Sequence, residues 1–237
     1  QGTAAVSAAA TGSIGIDTAA LSSVGNSTAG VSNNNQSAKA VANTALNSIA
    51  LEGANVAARS ALQSSQSGTA PVTASSTLEL FAPAASSNST VRLSGNSNAA
   101  LAVTNDATNT LGVAAANTLP LGATGSATLA ETGGPDNVSA SGDHVLSHRQ
   151  VASGTVGSTA STSIYNDDRA VPGTQGVVNG ALTVSGNSTF AEASANRAAN
   201  TVTLASGGTQ GASTGLANVQ ASSAAVSAAA STTAGVV

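Results

Sequence analysis

Hydrophobic residues in this chain recur as pairs two positions apart, each pair behind two asparagines. The shared form is N-x-x-x-N-[ST]-[ILV]-x-[LV], and it stands at 43–51, 105–113 and 196–204. Residues two apart in a strand point to the same face. The pattern therefore predicts three equivalent strands, each of which buries one apolar pair on one side.

Gly-Asn-Ser tripeptides precede the three motifs, at 25–27, 95–97 and 186–188. Glycine and asparagine tolerate positive φ, so each tripeptide predicts a tight turn. In the second and third copies, about nine residues separate the turn from the motif, the length of one strand plus a turn. The longer separation in the first copy predicts one additional strand and turn there.

The segment 36–66 also admits a helical interpretation. It is rich in Ala, the best helix former, and Val41, Ala45 and Ile49 lie four apart on one helical face. The third motif instead ends in the alternating, β-branched run 201–204, which favours a strand. Because the three copies should share one structure, the sequence predicts a strand, with the helix as the alternative.

These patterns predict an all-β fold, a β-solenoid in which successive turns of chain stack on one another. Equal side chains would then lie about 4.8 Å apart, so asparagine amides would form ladders around a narrow apolar interior. The alternative is a pilin-like β-sandwich completed by a strand from a neighbouring subunit, donated by 13–17 or by the C-terminal tail.

Turn-rich sequence interrupts the repeats between 114 and 180, where Pro120, Pro135 and Pro172 occur. We expect a loop-rich insertion there. The predicted organisation is an N-terminal assembly segment at 1–20, a repeat-bearing β region at 21–113, the irregular insertion at 114–180, and a second repeat-bearing region with a C-terminal assembly segment at 181–237.

The two ends of the sequence match one another, with AAVSAAAT at 4–11 and AAVSAAAS at 224–231. The match predicts equivalent strands. The first charged residue is Asp17 and the last is Arg197, so the ends carry none of the polar caps that close a stack of strands. We expect a head-to-tail homopolymer in which one subunit continues the stack of the next.

Composition excludes several classes of function. Only 7% of the 237 residues are charged and none is Cys. Six Lys and Arg do not make the clustered basic face that binds nucleic acid, and no apolar run is long enough for a membrane-spanning helix. With a net charge of −4 and a mean hydropathy of +0.16, the chain is expected to collapse or assemble instead of remaining disordered.

Residues capable of catalysis or metal binding are scarce. Asp143 with His144 or His148 and a serine would supply the members of a Ser-His-Asp triad. A triad is recognised by the geometry of its side chains, however, and the presence of these residue types alone does not indicate one. His144 and His148 are four apart, a metal-ligand spacing on a helix, yet no third ligand is marked. We predict no catalytic, cofactor-binding or metal-binding residues and no enzyme activity.

The acidic residues and the glycosylation sequons do not predict a functional site either. Four aspartates could collect a surface cation: Asp136, Asp143, Asp167 and Asp168. Four glutamates are too isolated to form the carboxylate pair of a glycosidase: Glu52, Glu79, Glu131 and Glu192. Chance explains the N-x-[ST] sequons of so polar a chain, among them those at Asn26, Asn88, Asn137 and Asn187.

The stretches GNST…NRAANTVTL and GNST…NNNQSAKAVANTALNSIAL resemble secreted β-helical fibre and anchor proteins of bacterial surfaces. The nearest are the holdfast-anchor proteins of stalked bacteria, with curli-type subunits more distant, since the regular Gln/Asn spacing of curli is missing. The resemblance implies an extracellular, non-enzymatic role in fibres or adhesion. A start at Gln1 fits the expectation of a mature chain after removal of a leader.

We therefore expect a structural subunit at the bacterial cell surface. It would assemble with other copies into a secreted filament for attachment or biofilm matrix, with an anchor at the outer surface. The alternative is a monomeric adhesin or a solenoid that binds glycan or ice. A flat array of threonines would mark that alternative, and the run 201–203 is too short for one.

Overall fold

The computed structural model describes residues 4–15, 24–81, 86–120, 127–131, 138–166 and 177–235. Within these ranges the chain forms strands and no helix. The strands are β1 (Val6–Gly15), β2 (Val24–Gly25), β3 (Thr28–Ser32), β4 (Asn35–Asn55), β5 (Ser60–Gly68), β6 (Val72–Phe81), β7 (Ser86–Ser87), β8 (Thr90–Ser94), β9 (Ser97–Thr118), β10 (Ala127–Glu131), β11 (Val138–Gly142), β12 (His144–Ala152), β13 (Val156–Tyr165), β14 (Val177–Val178), β15 (Ala181–Ser185), β16 (Ser188–Ser206), β17 (Thr214–Ser222) and β18 (Val226–Gly235). The all-β prediction is confirmed, and the helical alternative for 36–66 is wrong.

Five parallel sheets hold every strand except the antiparallel hairpin β10–β11. The sheet orders are β1-β6-β13-β18, β14-β7-β2, β15-β8-β3, β16-β9-β4 and β17-β12-β5. The chain visits these sheets in the same sequence three times. We call β1–β5 the first pass, β6–β9 with β12 the second pass, and β13–β17 the third pass; β18 then returns to the sheet of β1.

The three asparagine motifs lie side by side in one sheet. Asn43 pairs with Asn105 and Asn105 with Asn196, and the remaining motif positions follow in register. The apolar pairs align as well, with Leu111 between Ile49 and Val202. The prediction of three equivalent strands is confirmed.

Each pass turns at two corners where the backbone is left-handed, and asparagine or glycine fills every such position. The first corner has φ of 51°, 51° and 50° at Asn26, Asn88 and Asn179. The second has φ of 58°, 69° and 63° at Asn33, Gly95 and Gly186. These two residue types adopt this conformation at the least cost.

The corners correct the alignment expected from the Gly-Asn-Ser tripeptides. Gly25 pairs with Ser87, whereas Asn35 pairs with Ser97. The tripeptide 25–27 is thus equivalent to 87–89, and the tripeptide 95–97 to 33–35. The strand that we assigned only to the first copy is present in all three, as β3, β8 and β15.

The described part of the region 114–180 contains more strand structure than expected. β12 and β13 both fall within it, yet each is an inner strand of a parallel sheet. The added structure described there is the hairpin β10–β11, which leads directly into β12. Pro135 and Pro172 lie outside the described residues, as do Asp17 and parts of both expected terminal segments.

The core is centred on the second pass and extends to its neighbours on the first and third passes. Alternate residues in the second pass are buried, as Val72, Leu80 and Leu93 show with 0% exposure. The largest apolar cluster consists of valine and alanine on the sheets of β6 and β9 and their neighbours. Small side chains let the sheets approach closely, so the interior is narrow.

Candidate assembly faces

Asparagine side chains form three hydrogen-bonded ladders that run across the passes. In one, Asn43 Nδ2 donates to Asn105 Oδ1 at 2.8 Å, and Asn105 Nδ2 donates to Asn196 Oδ1 at 2.7 Å. The other two ladders are Asn47–Asn109–Asn200 and Asn34–Asn96–Asn187. The predicted amide ladders are confirmed, and the second-pass members are fully enclosed.

A glutamine ladder follows the same plan on the sheet of β12. Gln150 Nε2 donates to Gln66 Oε1 at 2.7 Å, and Gln220 Nε2 donates to Gln150 Oε1 at 2.9 Å. Sequence analysis missed this ladder, because the three glutamines share no local motif; only their common register on β5, β12 and β17 joins them.

The ladders have a direction, so their two ends differ. In each asparagine ladder the amide of one pass donates to the carbonyl of the next pass. Within the described structure, Oδ1 of Asn43 and Oδ1 of Asn47 accept no hydrogen bond, and Nδ2 of Asn200 donates none. The first pass thus ends in unused acceptors, and the third pass in an unused donor at the matching position.

Side chains that continue the buried interior from pass to pass form a line that we call the core column. On the third pass this column is exposed. Val184 and Leu216 on the third pass are 42% and 50% exposed, and Val226 on the returning strand β18 is 47% exposed. Their register partners one strand back are Leu93, Leu146 and Val156, which are 0%, 0% and 1% exposed. The side chains at these positions differ little, so the exposure arises because no further strand of the described structure lies over them.

The first pass carries a cavity of about 580 Å³ between β4 and β5. It is lined by 42–45 and 65–67, all of them first-pass residues. Asn43 and Gln66, which start two of the ladders, are part of this lining. The cavity therefore lies on the first-pass side of the described stack.

Opposite charges occupy one register position on the two end passes. Lys39 on β4 and Glu192 on β16 both pair with Leu101 on β9. Within the chain, the Glu192 carboxylate pairs with Arg197. We call the outer sides of the first and third passes the two end faces. At this register position the two end faces carry opposite charges.

The matching terminal segments are the two edge strands of a single sheet. Val6 of β1 aligns with Val72, then with Val156, and finally with Val226 of β18. The prediction that the two ends form equivalent strands is confirmed. β18 is the less covered of the two, with nine of its ten residues exposed.

Asp143, His144 and His148, which on paper could supply members of a Ser-His-Asp triad, make other contacts in the structure. His144 Nδ1 lies 2.8 Å from Ser60 Oγ, whereas Asp143 Oδ2 accepts from the backbone N and the Oγ of Ser213. His148 instead contacts Asn109 through Nδ1. Ser213 is the centre of a G-x-S-x-G pattern at 211–215 that sequence analysis overlooked, but it precedes a strand and lacks the strand-to-helix turn of a nucleophile elbow.

Burial lowers the pKa of His144, and the nearby Asp143 carboxylate offsets part of that effect. His144 is 1% exposed and has no open path to solvent. An imidazole in this position is held neutral at physiological pH. Its role in the fold is to fill the interior and to bond Ser60.

The remaining candidate residues are dispersed. Glu52, Glu79 and Glu192 lie on β4, β6 and β16. In the described part of the chain, no three His, Asp or Glu residues are placed to hold a metal ion. Of the other acidic candidates, Asp136, Asp167 and Asp168 lie outside the described residues, and for Glu131 only the backbone is described.

Of the sequon asparagines, Asn26 and Asn88 occupy corners, and Asn187 belongs to a ladder; Asn137 lies outside the described residues. Over the described ranges, no helix has the length and apolarity to cross a membrane.

Comparison with protein families, with curated proteins and with solved structures finds no match to this chain. The resemblance to holdfast-anchor and curli-type proteins therefore stays a prediction. The function must be argued from the two end faces themselves.

Proposed function

We propose that the chain is a β-solenoid subunit of a secreted filament at the bacterial cell surface, and that copies join head to tail. The third pass of one copy lies against the first pass of the next. The filament serves attachment or biofilm matrix and is not an enzyme. The observation that carries the proposal is the exposure of Val184 and Leu216 on the third pass, at positions that are buried one pass earlier.

The complementarity of the two faces supports a second copy as the occupant. Placed over the third pass, the Asn47 carbonyl of the next copy accepts from Asn200, as Asn109 Oδ1 accepts from Asn47 within one chain. Gln66 of the next copy likewise donates to Gln220. Lys39 comes to lie about 4.8 Å from Glu192 at the spacing of adjacent strands. An unrelated partner would not repeat this register.

Head-to-tail contacts of this kind do not close on themselves and therefore produce filaments. Electron microscopy of the purified chain at increasing concentration tests the proposal. We expect unbranched filaments of uniform width, with a diffraction repeat of about 4.8 Å along the axis, because the strands stack in that direction. Discrete monomers at high concentration, or filaments with strands parallel to the axis, would contradict it.

A further inference from the structure

Strand counts in the five parallel sheets differ by one. The sheet that contains β1 has four strands, and each of the other four has three. If copies stack directly, with third pass on first pass, four sheets continue without interruption. In the remaining sheet, only one strand position lies between β13 of one copy and β6 of the next, and both β18 and the next copy's β1 are available to fill it.

This inference depends on the proposed head-to-tail function. We infer that β18 is a placeholder for β1 of a second copy, and that joining two copies displaces β18 from the edge of β13. In the free subunit, residues 226–235 lie along the edge of β13. In the filament, the segment 6–15 of another copy binds along that edge instead.

The sequences of the two strands support a shared position. β1 begins VSAAAT and β18 begins VSAAAS, and each pairs in parallel with the strand beside it from its first residue to its last. β1 of the incoming copy can therefore make the same backbone hydrogen bonds to β13 that β18 makes now. Exchange preserves those bonds, whereas keeping both strands leaves a gap one strand wide in the other four sheets.

The fit of side chains decides which strand stays. Gln36 of the first pass donates to Ala10 O, and its Oε1 fills the space in which a Cβ on Gly12 would lie. The β18 residue in register with Gly12 is Thr232. Placed next to the first pass, Thr232 would overlap Gln36, so β18 does not fit there.

Packing at the far end of the strand points the same way. Ile14 of β1 packs against the buried cluster that includes Leu80 and Ile164. The β18 residue in register with Ile14 is Ala234, which would leave a cavity between two passes. Replacement of β18 by β1 of the next copy thus fills the interior more completely. This favours addition of a further copy to the filament over the free subunit in which β18 stays in place.

The chain has no cysteine, so engineered disulfides can test the exchange directly. Gly157 pairs with Ser227 on the adjacent strand, and the spacing of adjacent strands, about 4.8 Å, lies within the Cα–Cα range that a disulfide spans. In the double variant Gly157→Cys with Ser227→Cys, we expect the oxidised chain to elongate at least 10-fold more slowly than wild type, and reduction to restore the rate. The matched control, Ser7→Cys with Thr73→Cys, fastens β1 to its own β6 and should elongate at the wild-type rate.

A second measurement locates the incoming strand. Chains carrying only Gly157→Cys are mixed with chains carrying only Ser7→Cys, assembled and oxidised, and we expect disulfide-linked pairs of the two chains. Filaments that grow equally well with β18 fastened, or that form no such pairs, would overturn the exchange and leave the proposed function intact. Absence of filaments from wild type and from the reduced variants alike would remove the proposed function itself.

Discussion

Lys39 and Glu192 share one register position in a parallel sheet, on its first and last strands, with Leu101 between them. They are therefore two strands apart within a chain, and the proposed head-to-tail junction would make them neighbours. Their charges are opposite, so the sheet is electrostatically matched to a copy of itself.

A charge exchange at this position tests the junction. We expect Lys39→Glu or Glu192→Lys alone to raise the critical concentration for assembly about two- to fivefold, since an exposed ion pair contributes about 0.2–1 kcal/mol. The double exchange restores the attraction and should recover most of the loss, as measured by sedimentation of filaments at low salt. Additive losses in the double variant would show that the two side chains do not meet.

The ladders make a prediction about stability within one chain. Asn109 is 0% exposed, accepts from Asn47 and donates to Asn200. We expect Asn109→Ala to lower the free energy of unfolding by about 3 kcal/mol, because it leaves buried partners without hydrogen bonds. Asn47→Ala, at the open end of the same ladder, should cost about 1 kcal/mol.

Urea unfolding of monomeric samples measures both costs. Equal losses for the middle and end residues would contradict the view that Asn109 is enclosed and that Asn47 lies at an open end of the ladder. The unfolding measurement is made at protein concentrations too low for light scattering to detect assembly, because assembly would enclose Asn47 as well.

Local repetition made part of this arrangement predictable. The motif around Asn43 appears three times with fixed internal spacing, and side chains of equal spacing in stacked strands must align. The corners were predicted as turns but paired wrongly, because Asn33 occupies the place that Gly95 and Gly186 occupy in the other passes. Either residue type accepts positive φ, so sequence identity at a corner is a poor guide to register.

The contact between Ser60 and His144 was beyond prediction from the sequence. Ser60 and His144 lie 84 positions apart in sequence and bond each other at 2.8 Å because β5 and β12 are adjacent. The number of residues between them depends on the length of the segment that contains the β10–β11 hairpin. No local sequence pattern encodes that length. The 114–180 segment was misjudged for the same reason, since its turn signals hide two inner strands.

Acidification should weaken the fold through His144. Burial lowers the pKa of this side chain in the folded state, so the unfolded state binds more protons once the pH falls below about 6.5. The contribution of neutral His144 to stability is complete above that pH and is lost as the pH falls toward the folded-state pKa. The loss cannot exceed about 1.4 kcal/mol per pH unit.

Urea midpoints at pH 7.5, 6.5 and 5.5 measure the effect against His144→Asn, whose amide can still bond Ser60. We expect the wild-type midpoint to decline more steeply than that of the variant. His148 and all carboxylates are common to both proteins, so their contributions cancel in the difference. Parallel declines would show that His144 is protonated as readily in the folded state as in the unfolded state.

The exposed end of the core column gives the most direct test of assembly. Leu216 is half exposed on the third pass and points into the column that Leu146 continues. Leu216→Lys should leave the free subunit folded but place an unpaired charge inside the junction. Such a charge costs several kcal/mol, so we expect the critical concentration to rise at least about 100-fold.

Phe190→Lys is the matched control. Phe190 is 55% exposed on the same pass, but its neighbours Thr189 and Ala191 point inward and Phe190 points away from the column. Its replacement should change the critical concentration less than about threefold, since a solvent-exposed charge is not desolvated at the junction. If both lysines suppress filaments equally, contact along the sides of the molecule drives assembly, and the end faces do not.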